Sequence, residues 1–156
     1  MPSPIESIAV DVVVFKDCGD RVFRNILVPI FGSPSDVLAL RTAVLMAETE
    51  GGRIKALLPR KWGGRKKIRQ KFDQLLERTD LHTVELRTQV ARVKDMARAV
   101  IRRAPRYDLV VLGVREPLVP RFGSLSVPEA VARGCRRPLV IVKAHRRLNA
   151  WTRWWL

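Results

Sequence analysis

Asn25-Ile-Leu-Val-Pro-Ile-Phe-Gly-Ser-Pro-Ser-Asp36 is the stretch that decides the fold. Asn25 to Ile30 is a short apolar run without polar alternation, the pattern of a strand covered on both faces. Phe31-Gly32 ends the run, and Ser33-Pro-Ser-Asp36 opens a helix. Ser33 is placed to accept from the orphan amides of the first turn, Pro34 suits the first helical position, and Asp36 complements the positive helix end. Val37, Leu40, Val44 and Ala47 then fall on one helical stripe, which should stop at Gly51-Gly52.

The same grammar repeats outward from this unit. Arg53 to Leu58 reads as a second strand, and the segment after it is intensely basic: Arg60, Lys61, Arg65, Lys66 and Lys67 surround Trp62. A loop entering a helix is expected there, with Ile68, Phe72, Leu75 and Leu76 at helical spacing. Thr83 to Thr88 alternates Val84 and Leu86 with Glu85 and Arg87, as a half-exposed edge strand does. Val93, Met96, Ala97, Val100, Ile101 and Ala104 mark one face of a helix ending before Pro105. Asp108-Leu-Val-Val-Leu-Gly113 is a buried strand, Ser126-x-x-Glu129 a capping box, and Pro138-Leu-Val-Ile-Val-Lys143 the last strand. Five strands alternating with four helices predict an α/β domain with a parallel sheet and helices on both faces.

The totals narrow the function. A chain of 156 residues suits one core with extensions. Its net charge of +15 makes any anion eligible, whether nucleic acid, anionic lipid, nucleotide or acidic protein. Cys18 and Cys135 have neither metal-ligand spacing nor the density of a disulfide scaffold, so they are expected to be reduced, in a cytoplasmic protein. No apolar run approaches the length of a membrane span, and Glu6 and Asp11 do not suit a signal peptide. His82 and His145 lack partners at ligand spacing, so no metal site is expected. No nucleophile with a base and an orienting acid stands out, and catalysis is not expected.

Three ordered blocks, Ile26-Leu-Val-Pro-Ile30 with Gly32-Ser-Pro-Ser-Asp36, Asp108 to Gly113 with Gly123-Ser124, and Pro138-Leu-Val-Ile-Val142, resemble the universal stress protein domain over about residues 25 to 143. The resemblance implies a Rossmann-like sheet of order 3-2-1-4-5. It also implies a homodimer built through the last strand, at Leu139, Val140, Ile141, Val142 and Lys143. Many members bind ATP through a glycine, two residues, a second glycine, nine residues and Gly-Ser, which present amides to phosphate. Here Gly113 fits the first position and Gly123-Ser124 the last pair, but Glu116 replaces the second glycine. Only six residues then precede Gly123, and two of them are Pro117 and Pro120. A carboxylate repels phosphate and proline has no amide to donate, so the implied ATP site is degenerate, with Arg115 and Arg121 left to compensate by charge. ATP-binding members usually carry an aspartate after the first strand to contact the nucleoside; Phe31 stands here.

Two extensions flank that domain. In residues 1–24, Ala9 to Phe15 and the turn-like Asp17-Cys-Gly-Asp20 suggest a hairpin with Arg21 onward or an added edge strand. In residues 144–156, Leu148, Trp151 and Trp155 share a helical face, with Arg146, Arg147, Arg153 and Trp154 beside them. That is the composition of a membrane-interface segment and equally of an anchor folding back onto protein. The expected function is a non-catalytic, dimeric regulatory module at the inner face of the membrane, whose basic surface meets an anionic membrane or a membrane transporter. An ATP-binding stress sensor is the alternative. A nonspecific nucleic-acid-binding protein, with Trp62 or Trp151 stacking on bases, is the third and least supported.

Overall fold

The computed structural model describes residues 12–16, 19, 22–79, 84–92, 95–114 and 126–144. The elements run β1 (Val12–Lys16), β2 (Asn25–Pro29), α1 (Ser35–Glu50), β3 (Arg53–Leu58), α2 (Arg65–Leu76), β4 (Glu85–Val90), α3 (Met96–Arg103), β5 (Leu109–Gly113), α4 (Val127–Gly134) and β6 (Leu139–Lys143). Short 3-10 turns at Arg60–Trp62 and Ala104–Arg106 follow β3 and α3.

The sheet has six strands in the order β1-β6-β5-β2-β3-β4. Its last five places, read backwards, are the expected 3-2-1-4-5, all paired in parallel. The fold is thus the expected α/β sheet with one strand more. Successive residues of the central strands are buried on both sides, as helices on both faces require. Ile26, Val28, Ile54 and Ala56 pack with Ala39, Leu40, Ala43 and Phe72 on the α1–α2 face. Leu27, Leu57, Val110 and Leu112 pack with Ala97, Val100 and Val131 on the α3–α4 face.

The sixth strand is the added edge strand, the second of the two readings of residues 1–24. β1 does not form a hairpin with its own neighbours; it pairs antiparallel with β6, from Val12 opposite Lys143 to Lys16 opposite Leu139. The Lys16 ammonium fastens it by donating to the carbonyls of Ala132 (2.9 Å) and Cys135 (3.1 Å) at the C-terminal end of α4, where a cation also meets the negative helix pole. Consequently the backbone of Leu139 to Lys143, the residues expected at a dimer interface, is paired within the chain on both sides.

Local chemistry matches most helix ends. α1 stops at Gly51, whose positive φ of 61° permits the left-handed turn that returns its amide to the helix carbonyls. Ser126 caps α4 by accepting from the Glu129 amide, and Asp95 caps α3 by accepting from Arg98. At α1 the expected Ser33 cap is replaced: the Ser33 hydroxyl donates to the carbonyl of Val114 at 3.3 Å, and no side chain caps the first turn.

Candidate functional site

Strand order reverses between β2 and β5, since the chain moves outward to β3 and β4 on one side and to β6 on the other. In open parallel sheets the crevice beyond the C-terminal ends of such a strand pair is the usual ligand position. Here its described walls are the turn Ile30–Pro34 after β2, the start of α1, and Gly113–Val114 after β5. Arg115, Arg121, Gly123 and Ser124, with Glu116, Pro117 and Pro120, lie outside the described residues.

The turn after β2 is closed by its own carboxylate. Asp36, fully buried, folds back to accept from the amides of Gly32 (2.7 Å), Ser33 (3.0 Å) and Phe31 (3.2 Å). Three successive amides pointing inward form the kind of concavity that otherwise takes an anion. Burial pushes the Asp36 carboxyl up to about 7, against the downward pull of the amides of Phe31, Gly32 and Ser33. The sequence placed Asp36 at the helix pole; its service to the preceding turn depends on the chain doubling back and leaves no sequence signature beyond the four-residue gap to Gly32.

Gly113, the first glycine of the nucleotide motif, has a packing role. A Cβ there would stand 2.8 Å from the Ser35 carbonyl carbon and 2.9 Å from its oxygen, so glycine is what lets β5 touch the start of α1. The Ser35 hydroxyl accepts from the Ala144 amide at 3.1 Å, tying the same helix end to the end of β6. Asp108, at the other end of β5, is likewise structural: one carboxylate oxygen accepts from the amides of Asn25 (2.8 Å) and Arg24 (3.1 Å).

Trp62 departs from its expected place. It is only 7% exposed and belongs to the core, so it cannot serve as an exposed contact for a membrane or a base. Its indole lies on the backbone of Gly32, which has φ of +81° and where an added Cβ would come within 3.3 Å of Nε1. The Lys71 ammonium lies 5.6 Å from the ring centroid on the solvent side. Phe31, at the position of the absent nucleoside-binding aspartate, is buried as well. Of the other basic-loop residues, Arg60, Lys61, Arg65, Lys66 and Lys67 are exposed as expected. Arg146, Arg147, Trp151, Arg153, Trp154 and Trp155 lie outside the described residues, as do Cys18, His82 and His145.

Among the described residues no group of three metal-ligating side chains converges, and no helix is long and apolar enough to cross a membrane. Cys135 is buried behind the end of α4.

Comparison with curated proteins gives no match. Among solved structures, the chain is similar to a universal stress protein in complex with cAMP (TM-score 0.55, 21% identity), covering 80% of this chain and 99% of that one. It is also similar to a universal stress protein from Archaeoglobus fulgidus (TM-score 0.60, 18% identity; 78% and 95% covered). The universal stress protein from Archaeoglobus fulgidus in complex with dAMP gives a TM-score of 0.58 at 16% identity, with 79% and 100% covered. These likenesses concern the fold. The family model of the universal stress proteins matches residues 23–143, which span every element from β2 to β6 and both walls of the crevice. On that match, which takes in the strand-order reversal and leaves out β1, the chain belongs to the universal stress protein family.

Proposed function

We propose that this chain is a non-catalytic regulatory module of its family whose nucleotide crevice is degenerate, and that it acts by docking its basic surface on an anionic membrane or a membrane-protein partner. The observation that carries the reading is the crevice wall after β2. Its inward amides are taken by Asp36, its glycine is covered by Trp62, and the glycine facing it across the crevice is committed to packing on Ser35. A triphosphate would have to displace a buried carboxyl group that already fills the cradle of amides. Glu116, Pro117 and Pro120 in the following loop act in the same direction. Pairing of two copies belongs to the proposal; with β6 occupied, a second copy would add at the outer edge of β1.

A second reading, an ATP-binding sensor using Gly113, Arg115, Arg121, Gly123 and Ser124, is favoured by one observation: two similar folds are those of universal stress proteins in complex with cAMP and with dAMP. Calorimetric titration of Mg-ATP at physiological salt separates the two, because salt screens the loose attraction of a +15 chain. No saturable binding that depends on Gly123 is expected. Saturable binding abolished by Gly123→Glu would overturn the degenerate-site reading and establish the sensor.

A further inference from the structure

We infer that a second, unassigned site lies on the α3–α4 face of the sheet: an arginine-lined groove between the β3–β4 edge and the end of α3 that binds a small, multiply phosphorylated anion. It is independent of the crevice at the strand-order reversal.

The groove follows from register and helix length. Side chains alternate along a strand, so Arg53 and Lys55 share the face of Leu57, which packs in the α3–α4 core. In the β3–β4 ladder Lys55 stands opposite Arg87 and Leu57 opposite Gln89, so Arg87 and Gln89 lie on that face too. α3 has only eight residues. It covers Leu57 and Leu27 through Ala97, Ala99 and Val100, and leaves Arg87 on the edge strand exposed. Its last turn brings Arg102 and Arg103, and the 3-10 turn after it brings Arg106, to the border of the uncovered strip.

Two clefts result. One, of about 340 Å³, is lined by Arg92, Arg102, Arg103, Arg106 and Gln89. The other, also about 340 Å³, is lined by Arg53, Lys55, Arg87, Arg106, Asn25 and Tyr107. Arg106 lines both, so they adjoin. Neither lining contains a carboxylate. Glu85, the acidic residue on the same strand face, is held by the Arg87 guanidinium at 2.6 Å. Among the described residues, Arg53, Lys55, Arg92, Arg102 and Arg106 enter no ion pair.

Arg102 and Arg103 complement the negative pole of α3, which accounts for two cations near the helix end but not for Arg53, Lys55, Arg92 and Arg106. So many like charges facing one concavity repel one another until an anion enters. Guanidinium forks match phosphate oxygens in pairs, which makes phosphate the fitting chemistry. A recess between a sheet and a helix excludes a flat bilayer surface, and clefts of this size fall at the small end of small-molecule sites. The half-buried Tyr107 ring offers the second cleft an apolar plate for the rest of such a molecule, while the Asn25 side-chain amide already donates to Asp108 at 3.5 Å.

The test is calorimetric titration of sodium tripolyphosphate at about 0.15 M salt. It is made on the wild type, on Arg102→Glu/Arg106→Glu, and on Arg69→Glu/Lys71→Glu, which makes the same charge change on the exposed surface of α2. Saturable binding is expected, weakened on the order of tenfold or more by the groove pair and within about threefold by the α2 pair. Thermal melts of each variant check folding, and Arg102→Gln/Arg106→Gln replaces a groove pair that does not fold. No saturable binding, or equal losses in both pairs, overturns the site. A single-stranded oligonucleotide of about a dozen nucleotides that binds more tightly than tripolyphosphate and depends on the same arginines overturns the small-ligand assignment. Because tripolyphosphate lacks a nucleoside and Gly123 lies elsewhere in the sequence, failure here is distinguishable from failure of the Mg-ATP experiment.

Discussion

The Asp36 carboxyl serves three backbone amides at once, and its removal strands all of them in a buried turn. Asp36→Ala should therefore destabilise the fold on the order of 3 kcal/mol, since each orphaned buried donor costs about 1–3 kcal/mol. Asp36→Asn keeps one accepting oxygen and should cost less. The pH dependence has a definite sign. With the folded carboxyl raised from 3.8 to about 7, the folded state holds a proton that the unfolded chain releases. The contribution of Asp36 is then fully present below pH 3.8 and is lost as pH rises through about 7. Denaturant melts should show wild-type stability falling relative to Asp36→Asn across that window; parallel curves would remove the titration from Asp36. None of this was legible in Ser33-Pro-Ser-Asp36 alone, where an acidic residue in a first turn already has a sufficient explanation in the helix pole. Trp62 escaped for a related reason. Its neighbours in sequence are charged, and only the fold reveals that the indole points the other way, onto Gly32.

At the scale of elements, the central strands β2 and β5 could be read from the chain because they are buried on both faces and so lack polar alternation, while β4 showed its edge position by alternating. β1 was readable as a strand and unreadable as to partner. A run such as Ala9 to Phe15 specifies a ladder but not which edge it joins, and β6 lies more than a hundred residues away. Sheet edges left open invite pairing with other chains. Deleting residues 1–21 should accordingly expose β6 and shift the protein toward larger assemblies in sedimentation velocity. Lys16→Ala, which removes only the anchor on α4, should give a smaller shift in the same direction. A truncated chain that sediments as the full one does would show that β1 does not guard the edge.

Over the whole molecule, cations are spread widely enough that charge alone does not name a ligand, and net charge was the feature the sequence displayed most openly. What it could not display was the distribution: the groove collects residues from β3, β4, α3 and a 3-10 turn, which become neighbours only through the ladder register and the shortness of α3. The basic loop at Arg60 to Lys67 was visible because it is contiguous. The docking proposal is tested by co-sedimentation with liposomes rich in anionic lipid: binding should weaken as salt rises and be lost when residues 144–156 are removed. Retained binding without those residues would end the tail's role and move attention to the loop.

The direction of β1 has a mechanical consequence. Because Val12 lies opposite Lys143, the chain enters this ladder and leaves it at the same end of the sheet. Tension applied through the two extensions would peel β1 from β6 one rung at a time, beginning at Val12 and Lys143, and would not slide the strands past each other. The ladder would act as a fuse, its rungs yielding in turn at low force before the parallel strands behind it separate.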